Sequence, residues 1–228
     1  MIIVTGASRG LGEAIAKRMH DKGNVVIGLA RSASAVNIKG VKAFACDVSD
    51  YASVKAVAIE IKRMKQPIAA VVNAAGVASM NMAVTTNAAT VQKLIQTNLA
   101  GTIFCCQLFA PMMLRQKSGC FVNFSTIAVP LALKGEAVYA ASKAGVESFS
   151  RTFAREMADF NVRVNCIAPG PIQTDLLKGI TQNQINNITS RQVIDKQFLK
   201  SDVCDVLELL LDERAASISG QVINVGGV

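Results

Sequence analysis

The stretch Thr5-Gly6-Ala7-Ser8-Arg9-Gly10-Leu11-Gly12 decides the fold of this chain. It follows a short apolar run at residues 2–4 and opens a segment, residues 10–22, in which Leu11, Ile15 and Met19 recur at helical spacing. A strand that ends in a glycine turn and launches a helix is the opening of a βαβ unit. Glycines in such a turn let the backbone bend tightly and approach a pyrophosphate. The phosphate rests on free N–H groups at the positive end of the helix.

Outward from this turn, strands and helices alternate. Apolar runs at 25–29, 41–46, 68–72, 121–124, 162–167 and 221–225 read as six further strands. Helices are predicted from Ser49 or Asp50 to about 64, over 87–115 with Pro111 bending the last turns, over 138–159, and from Ser201 or Asp202 to about 211. Strands apolar on both faces and alternating with helices predict an α/β, Rossmann-type doubly wound sheet: seven parallel strands with helices on both faces. No linker or repeat divides residues 1–228, which read as a single domain. Two connections stand out. Residues 31–40 are too few for a full crossover helix, so a shortened link is predicted there. Residues 171–200 are polar and irregular, with Thr181-Gln182-Asn183-Gln184-Ile185-Asn186-Asn187 at their centre. They lie beyond a strand's carboxyl end, where open α/β sheets bind ligands, and read as a substrate lid.

Composition narrows the function classes. With 228 residues, 51% hydrophobic and 18% charged, the chain has ample material for a core and is not disordered. Its most apolar long segment, 102–114, is interrupted by Gln107 and is shorter than the ~20 residues a membrane span needs. Met1-Ile2-Ile3-Val4-Thr5 carries no basic leader, so a soluble, cytoplasmic protein with no membrane partner is expected. The net charge of +8 comes from scattered Lys and Arg without an aromatic-rich RNA-binding signature. It points away from nucleic acid and suits an anionic cofactor or substrate. Six cysteines, at 46, 105, 106, 120, 166 and 204, form no C-x-x-C pair, and His20 is the only histidine. They read as small core hydrophobes, with no metal site expected.

Gly6-Ala7-Ser8-Arg9-Gly10 also spells G-x-S-x-G, the nucleophile elbow of hydrolases. His20 lies ten helical residues further on, roughly 15 Å away at 1.5 Å per residue. No Ser-His-Asp triad can therefore be assembled. A second candidate is Tyr139-Ala140-Ala141-Ser142-Lys143, which puts a phenol and an ammonium at i and i+4 on one helix face. A free phenol titrates near ~10, and a neighbouring ammonium is expected to lower that value. Such a pair suits protonation of an alkoxide as hydride reaches a carbonyl.

Taken together and in order, these motifs carry more than any one of them. The turn has T-G-x-x-x-G-x-G spacing, Asp47-Val48 follows the third strand, and Asn73-Ala74-Ala75-Gly76 ends the fourth. Asn98 lies mid-helix, Asn123-Phe124-Ser125-Thr126 ends the fifth strand, Tyr139 and Lys143 open the next helix, and Pro169-Gly170-Pro171 closes the sixth. The chain resembles the short-chain dehydrogenase/reductase family over essentially its whole length. Within it, the chain looks most like the bacterial 3-oxoacyl-(acyl-carrier-protein) reductases. Supporting stretches are Val164-Asn165-Cys166-Ile167-Ala168-Pro169-Gly170, Thr174-Asp175 and the ending Ser219 to Gly227.

The resemblance implies roles for particular residues. Tyr139 would be the general acid, Lys143 would bind the nicotinamide ribose and tune Tyr139, and Asn98 would hold a water in the proton relay. Gly6, Ser8, Arg9 and Leu11 would contact the cofactor from the turn. Asp47 and Val48 would flank the adenine, Asn73 would line the cofactor, and Ile172 and Thr174 would meet the nicotinamide carboxamide. The family's substrate-polarising Ser falls thirteen residues before the Tyr, which here is Thr126, with Ser125 the alternative. The second strand ends Leu29-Ala30-Arg31-Ser32, without the acid that selects NAD. Arg31 with Arg9 is read as a clamp for a 2′-phosphate, so NADP(H) is the expected cofactor. The implied reaction is NADPH-dependent reduction of a 3-oxoacyl thioester. The alternatives are another small ketone or alcohol, or a non-catalytic NADP(H)-binding protein. Carrier-protein docking would use basic residues at positions aligned with Lys117 and Phe160, of which only the first is basic. A homodimer or homotetramer through the helices at 87–115 and 138–159 is also implied.

Overall fold

The computed structural model describes residues 1–174 and 181–228. Its chain runs β1 (Ile2–Thr5), α1 (Gly10–Asp21), β2 (Val26–Ala30), β3 (Lys42–Ala45), α2 (Tyr51–Arg63), β4 (Ala70–Asn73), α3 (Ala88–Leu94) and α4 (Gly101–Gln116). It continues with β5 (Gly119–Phe124), α5 (Ala128–Leu131), α6 (Ala137–Met157), β6 (Val162–Ala168), α7 (Gln182–Thr189), α8 (Lys200–Leu211) and β7 (Val222–Asn224). The seven strands form one sheet in the order β3-β2-β1-β4-β5-β6-β7, every pair parallel. The order reverses between β1 and β4. There the connections leave to opposite sides and open a crevice at the carboxyl ends of the strands.

The two faces of the sheet follow the period of two along each strand. Ile3, Val71, Phe121 and Val164 point to the layer of α2, α4 and α6, where Ile61, Phe109, Met113 and Phe153 fill the core. Ile2, Val4, Val72 and Val122 point to the layer of α1 and α8, against Ile15, Met19, Val203 and Leu207. Each large side chain removed from water in this way contributes about 1.5–3 kcal/mol. Across the outside of that second layer, Arg18 of α1 reaches Glu208 (2.6 Å) and Asp205 (2.7 Å) of α8.

Several element readings are refined. The predicted helix 87–115 is α3 and α4 joined by a π-turn at Ile95–Ala100, and it continues through Pro111. By length and composition Ala88–Gln116 could cross a membrane. Here Cys105, Phe109 and Met113 are fully buried in the sheet's core. The short link after β2 holds only a single 3-10 turn, Ala33–Ala35. Asp50 caps α2, accepting from Ala52 and Ser53 N–H. The cap of α8 is displaced: Leu199 is the N-cap, and Asp202 reaches back from the third helical position to its N–H.

Within the predicted lid, 171–200, the residues from Thr181 onward are more regular than their composition implied. Asp175 and residues 176–180 lie outside the described residues. Beyond them, Thr181 and Gln184 form a capping box at the start of α7, and Ile185 and Ile188, three apart, are buried. That spacing outweighs the surrounding Asn and Gln.

The opening turn depends on close backbone approach. Gly6 has φ +69°, in the left-handed region, and a Cβ on it would lie 2.9 Å from the Ala75 Cα. A Cβ on Gly12 would lie 2.4 Å from the Gly6 carbonyl oxygen, so α1 can sit on β1 only with glycine there. Both neighbours are backbone and cannot swing away. Gly12→Ala is therefore expected to cost about 1–3 kcal/mol or more. At about 2–4 °C per kcal/mol for a domain of this size, a thermal melt should show a loss of roughly 2–12 °C. An unchanged Tm would mean that the turn relaxes freely.

Candidate active site

A cleft of about 750 Å³ opens at the carboxyl edge of the sheet, over the switch between β1 and β4. The glycine turn forms its floor, with Gly6, Ser8, Arg9 and Leu11 on the lining. The helix α1 starts at Gly10, and its N-cap Arg9 places no side-chain hydrogen bond on the first N–H groups. One end is formed by Arg31 after β2 and by Asp47 and Val48 after β3. Asp47 accepts from the N–H and hydroxyl of Ser49 at 2.9 and 2.6 Å. The other end is walled by Thr126, Tyr139 and Lys143, and by Ile172 and Thr174 beyond β6.

Two of the predicted residues stand behind this wall. Asn73, 3% exposed, turns into the core, where its amide donates to Asn123 Oδ1 at 2.8 Å and to Cys106 Sγ at 3.4 Å. It supports the floor of the cleft and does not form it. Asn98, fully buried in the π-turn, clamps the loop after β4. Its Oδ1 accepts from Val77 N–H, and its Nδ2 donates to the Val77 carbonyl, both at 2.9 Å, and to Ser142 Oγ at 3.0 Å. A Cβ on Gly76 would lie 3.3 Å from Asn98 Oδ1 and 3.6 Å from Lys143 Nζ, so glycine keeps these groups close together.

The two candidate hydroxyls differ in their partners. Ser125 is 4% exposed and donates to Glu147 Oε1 of α6 at 2.6 Å. Glu147 is itself buried and also receives Arg151 at 3.0 Å. Thr126 Oγ1 accepts from Ala128 N–H at 3.2 Å and is a hydrogen-bond partner of the Tyr139 phenol. The helix α6 carries both Tyr139 and Lys143 into the cleft, and Lys143 Nζ donates to the Phe124 carbonyl at 2.8 Å.

The electrostatics reverse one expectation. The phenol of Tyr139 is pushed up to about 12, first by burial and next by the Glu136 carboxylate, with the Thr126 hydrogen bond opposing. Burial pulls the Lys143 ammonium down to about 8. Loss of water, not the ammonium's attraction, therefore dominates the phenol. At neutral pH both groups hold their protons, an arrangement suited to giving a proton away.

Lys117 and Phe160 are not at this cleft. They immediately precede β5 and β6, at the opposite edge of the sheet, because α4 and α6 run back antiparallel to the strands. Conversely, the cleft includes residues that the motifs did not single out: Met80, Lys93, Leu133, Glu136 and Ile188. Of these, only Glu136 had a readable signal, three residues before Tyr139 at the start of the same helix.

The geometry fits a nicotinamide dinucleotide. An uncapped helix start over a glycine turn accepts phosphates, and the cleft leads from there to the half-buried Tyr139 phenol and the buried Lys143 ammonium. Comparison with known proteins agrees. The family model described as short chain dehydrogenase matches residues 1–185. The 3-oxoacyl-(acyl-carrier-protein) reductase FabG of Staphylococcus aureus is 32% identical, over 99% of this chain and 96% of its own. Carbonyl reductase family member 4 of Xenopus laevis is 33% identical over 81% of this chain and 80% of its own. The crystal structure of gox2181 superposes with a TM-score of 0.91 at 25% identity, covering 98% of this chain and 93% of that one. Sheet order, cleft and relatives thus converge: this chain belongs to the short-chain dehydrogenase family, most like FabG, as an oxidoreductase that acts on CH–OH or C=O groups with a nicotinamide cofactor.

Proposed function

We propose that the chain is an NADPH-dependent carbonyl reductase that converts a 3-oxoacyl thioester to the 3-hydroxy product, acting in the cytoplasm as one domain. The observation that carries the reading is a cleft with two arginines, Arg9 and Arg31, on its lining and a paired hydroxyl and phenol, Thr126 and Tyr139, on its wall. When bound, the nicotinamide supplies hydride to the carbonyl carbon. The chain's own residues manage the oxygen. Thr126 donates a hydrogen bond to it, and Tyr139 transfers its proton as negative charge develops. Lys143, held by the Phe124 carbonyl, keeps a positive charge next to the reacting groups and meets the ribose. Asn98, fixed on Val77 beside Lys143, would hold a water that returns the proton. Gly6, Ser8 and Leu11 would carry the phosphates, Asp47 and Val48 the adenine, and Ile172 and Thr174 the carboxamide. Asn73 supports this site from below.

FabG relatives favour a 3-oxoacyl substrate, delivered as a small thioester or on an acyl carrier protein. The Xenopus relative, named a carbonyl reductase, supports another small ketone as the second reading. A purely binding role is disfavoured by the contact between Thr126 and Tyr139, which a reductase uses and a binder does not need. A homodimer or homotetramer through the α3–α4 helix and α6 belongs to the same reading. Screening purified protein with NADPH against 3-oxoacyl thioesters and small ketones tests it directly.

Three substitutions test the assigned roles. Tyr139→Phe keeps the ring and removes the proton, so kcat should fall by about 10²- to 10⁴-fold with NADPH affinity nearly intact. A loss below tenfold would place the proton donor elsewhere.

Thr126→Ala should lower kcat strongly, and Thr126→Ser should retain activity. Ser125→Ala should lower Tm more than kcat, because it strips the buried Glu147 Oε1 of its donor and leaves Arg151 on Oε2 as the carboxylate's remaining partner, at a cost of about 1–3 kcal/mol. A severe kcat defect only in Ser125→Ala would reverse the assignment.

Arg31 occupies the place where an acid would select NADH. One charge-assisted hydrogen bond to the 2′-phosphate is worth about 1.5–3 kcal/mol, so NADPH should be preferred by about tenfold or more. Arg31→Asp adds repulsion and should abolish or invert that ratio of kcat/KM values. A wild type that favours NADH would rule out the clamp.

A further inference from the structure

Glu136 is an anomaly in the cleft. Its residue precedes α6 as the N-cap, but its side chain makes no cap hydrogen bond. Among the described residues its carboxylate has no hydrogen-bond or ion-pair partner. It nevertheless lines the cleft beside Tyr139 and acts on the phenol electrostatically. Burial raises its pKa, as expected of a carboxyl that has lost water without gaining donors. A stability argument does not account for such a group, because leaving it unpaired has a cost that Ala would avoid. Its position does suggest a use. Glu136 is the N-cap, outside the helical dihedrals, and Tyr139 follows it in the first turn of α6. Glu136 thus stands one short step along the wall from the proton donor.

We propose that Glu136 is a specificity-determining residue that accepts a hydrogen bond from an N–H donor of the substrate, namely the first amide of a pantetheine-type thioester arm. The proposal rests on the 3-oxoacyl thioester reading above. In such a substrate that nitrogen lies six bonds from the reacting carbonyl carbon, a reach of ~7 Å at the ~1.2 Å advance per bond of an extended chain. This is the separation that a glutamate three residues from Tyr139 can serve. A carboxylate here also repels substrates with an acid at the same distance, so free 3-oxo acids with an acidic arm are disfavoured. Met80 and Leu133, on the same lining, leave apolar surface for the rest of the chain.

The test compares two 3-oxobutanoyl thioesters of one shape. In one the thiol is N-acetylcysteamine, which carries the amide N–H. In the other it is 2-acetoxyethanethiol, in which an ester oxygen replaces that N–H. The full-length protein with NADPH should show a kcat/KM for the amide about tenfold or more above that for the ester, the worth of one charged hydrogen bond. Glu136→Ala should bring the two to within about twofold. Glu136→Gln, whose amide oxygen still accepts, should keep part of the preference. NADPH affinity, measured alongside, reports that the variants are folded. Equal efficiency on the two thioesters in wild type, or a preference that survives Glu136→Ala, overturns this proposal alone. If neither thioester is turned over while a simple ketone is, the thioester reading fails and this proposal fails with it.

Discussion

Two hydrogen bonds fasten α6 to the carboxyl end of β5, and the geometry of the cleft depends on them. Lys143 Nζ holds the Phe124 carbonyl at 2.8 Å, and Ser125 donates to Glu147 at 2.6 Å. The two side chains on α6 are one turn apart, and the two loop residues are neighbours. The loop therefore cannot slide along the helix or rotate away from it. Thr126, the next residue in the loop, is left facing Tyr139, one turn before Lys143. Ser125, Thr126, Lys143 and Glu147 are buried and Tyr139 is partly so, and their mutual electrostatics are therefore stronger than on a surface.

Below this junction the sheet carries an unusual amount of polar material. Thr5, Asn73 and Asn123 stand in register across β1, β4 and β5, all buried. Asn73 donates to Asn123, and Asn123 donates to Ser150 of α6, which in turn donates to the Val146 carbonyl. Thr5 receives the Ala75 N–H and so ties the first turn to the fourth strand's exit. A buried polar network that is nearly saturated fixes one arrangement of its members. Here it joins the glycine-turn end of the cleft to the wall that bears the hydroxyls. Asn98 does the same work for the loop after β4.

Burial also sets the proton inventory. The cysteines show the same effect in a chemically idle setting. Cys46, Cys120 and Cys166 are all pushed up to about 11 by loss of water and stay as thiols. Tyr139 and Lys143 experience the same loss, but as groups of opposite charge type they move in opposite directions: the neutral phenol is favoured over phenolate, and the ammonium is weakened. A phenol that holds its proton, beside an ammonium that only just holds its own, is configured for delivery to an oxygen that is gaining charge.

The sequence by itself determined the sheet and its ligand edge. Strand–helix alternation, apolar strands and the glycine turn from Gly6 to Gly12 are local patterns, each set by backbone sterics and burial period. The i,i+4 placement of Tyr139 and Lys143 is equally local. Where local pattern competed with packing, the reading slipped: residues 181–189 looked like a polar loop until Ile185 and Ile188 found a buried face. Only the tertiary structure decided which of Ser125 and Thr126 faces the phenol, because that choice rests on Glu147, 22 residues away in sequence from Ser125. It alone showed that Asn73 supports the cleft from below, that Lys117 and Phe160 belong to the opposite edge, and that burial outweighs charge in setting Tyr139. Those facts depend on which distant groups share a space and how much water they exclude, and no spacing along a chain encodes either.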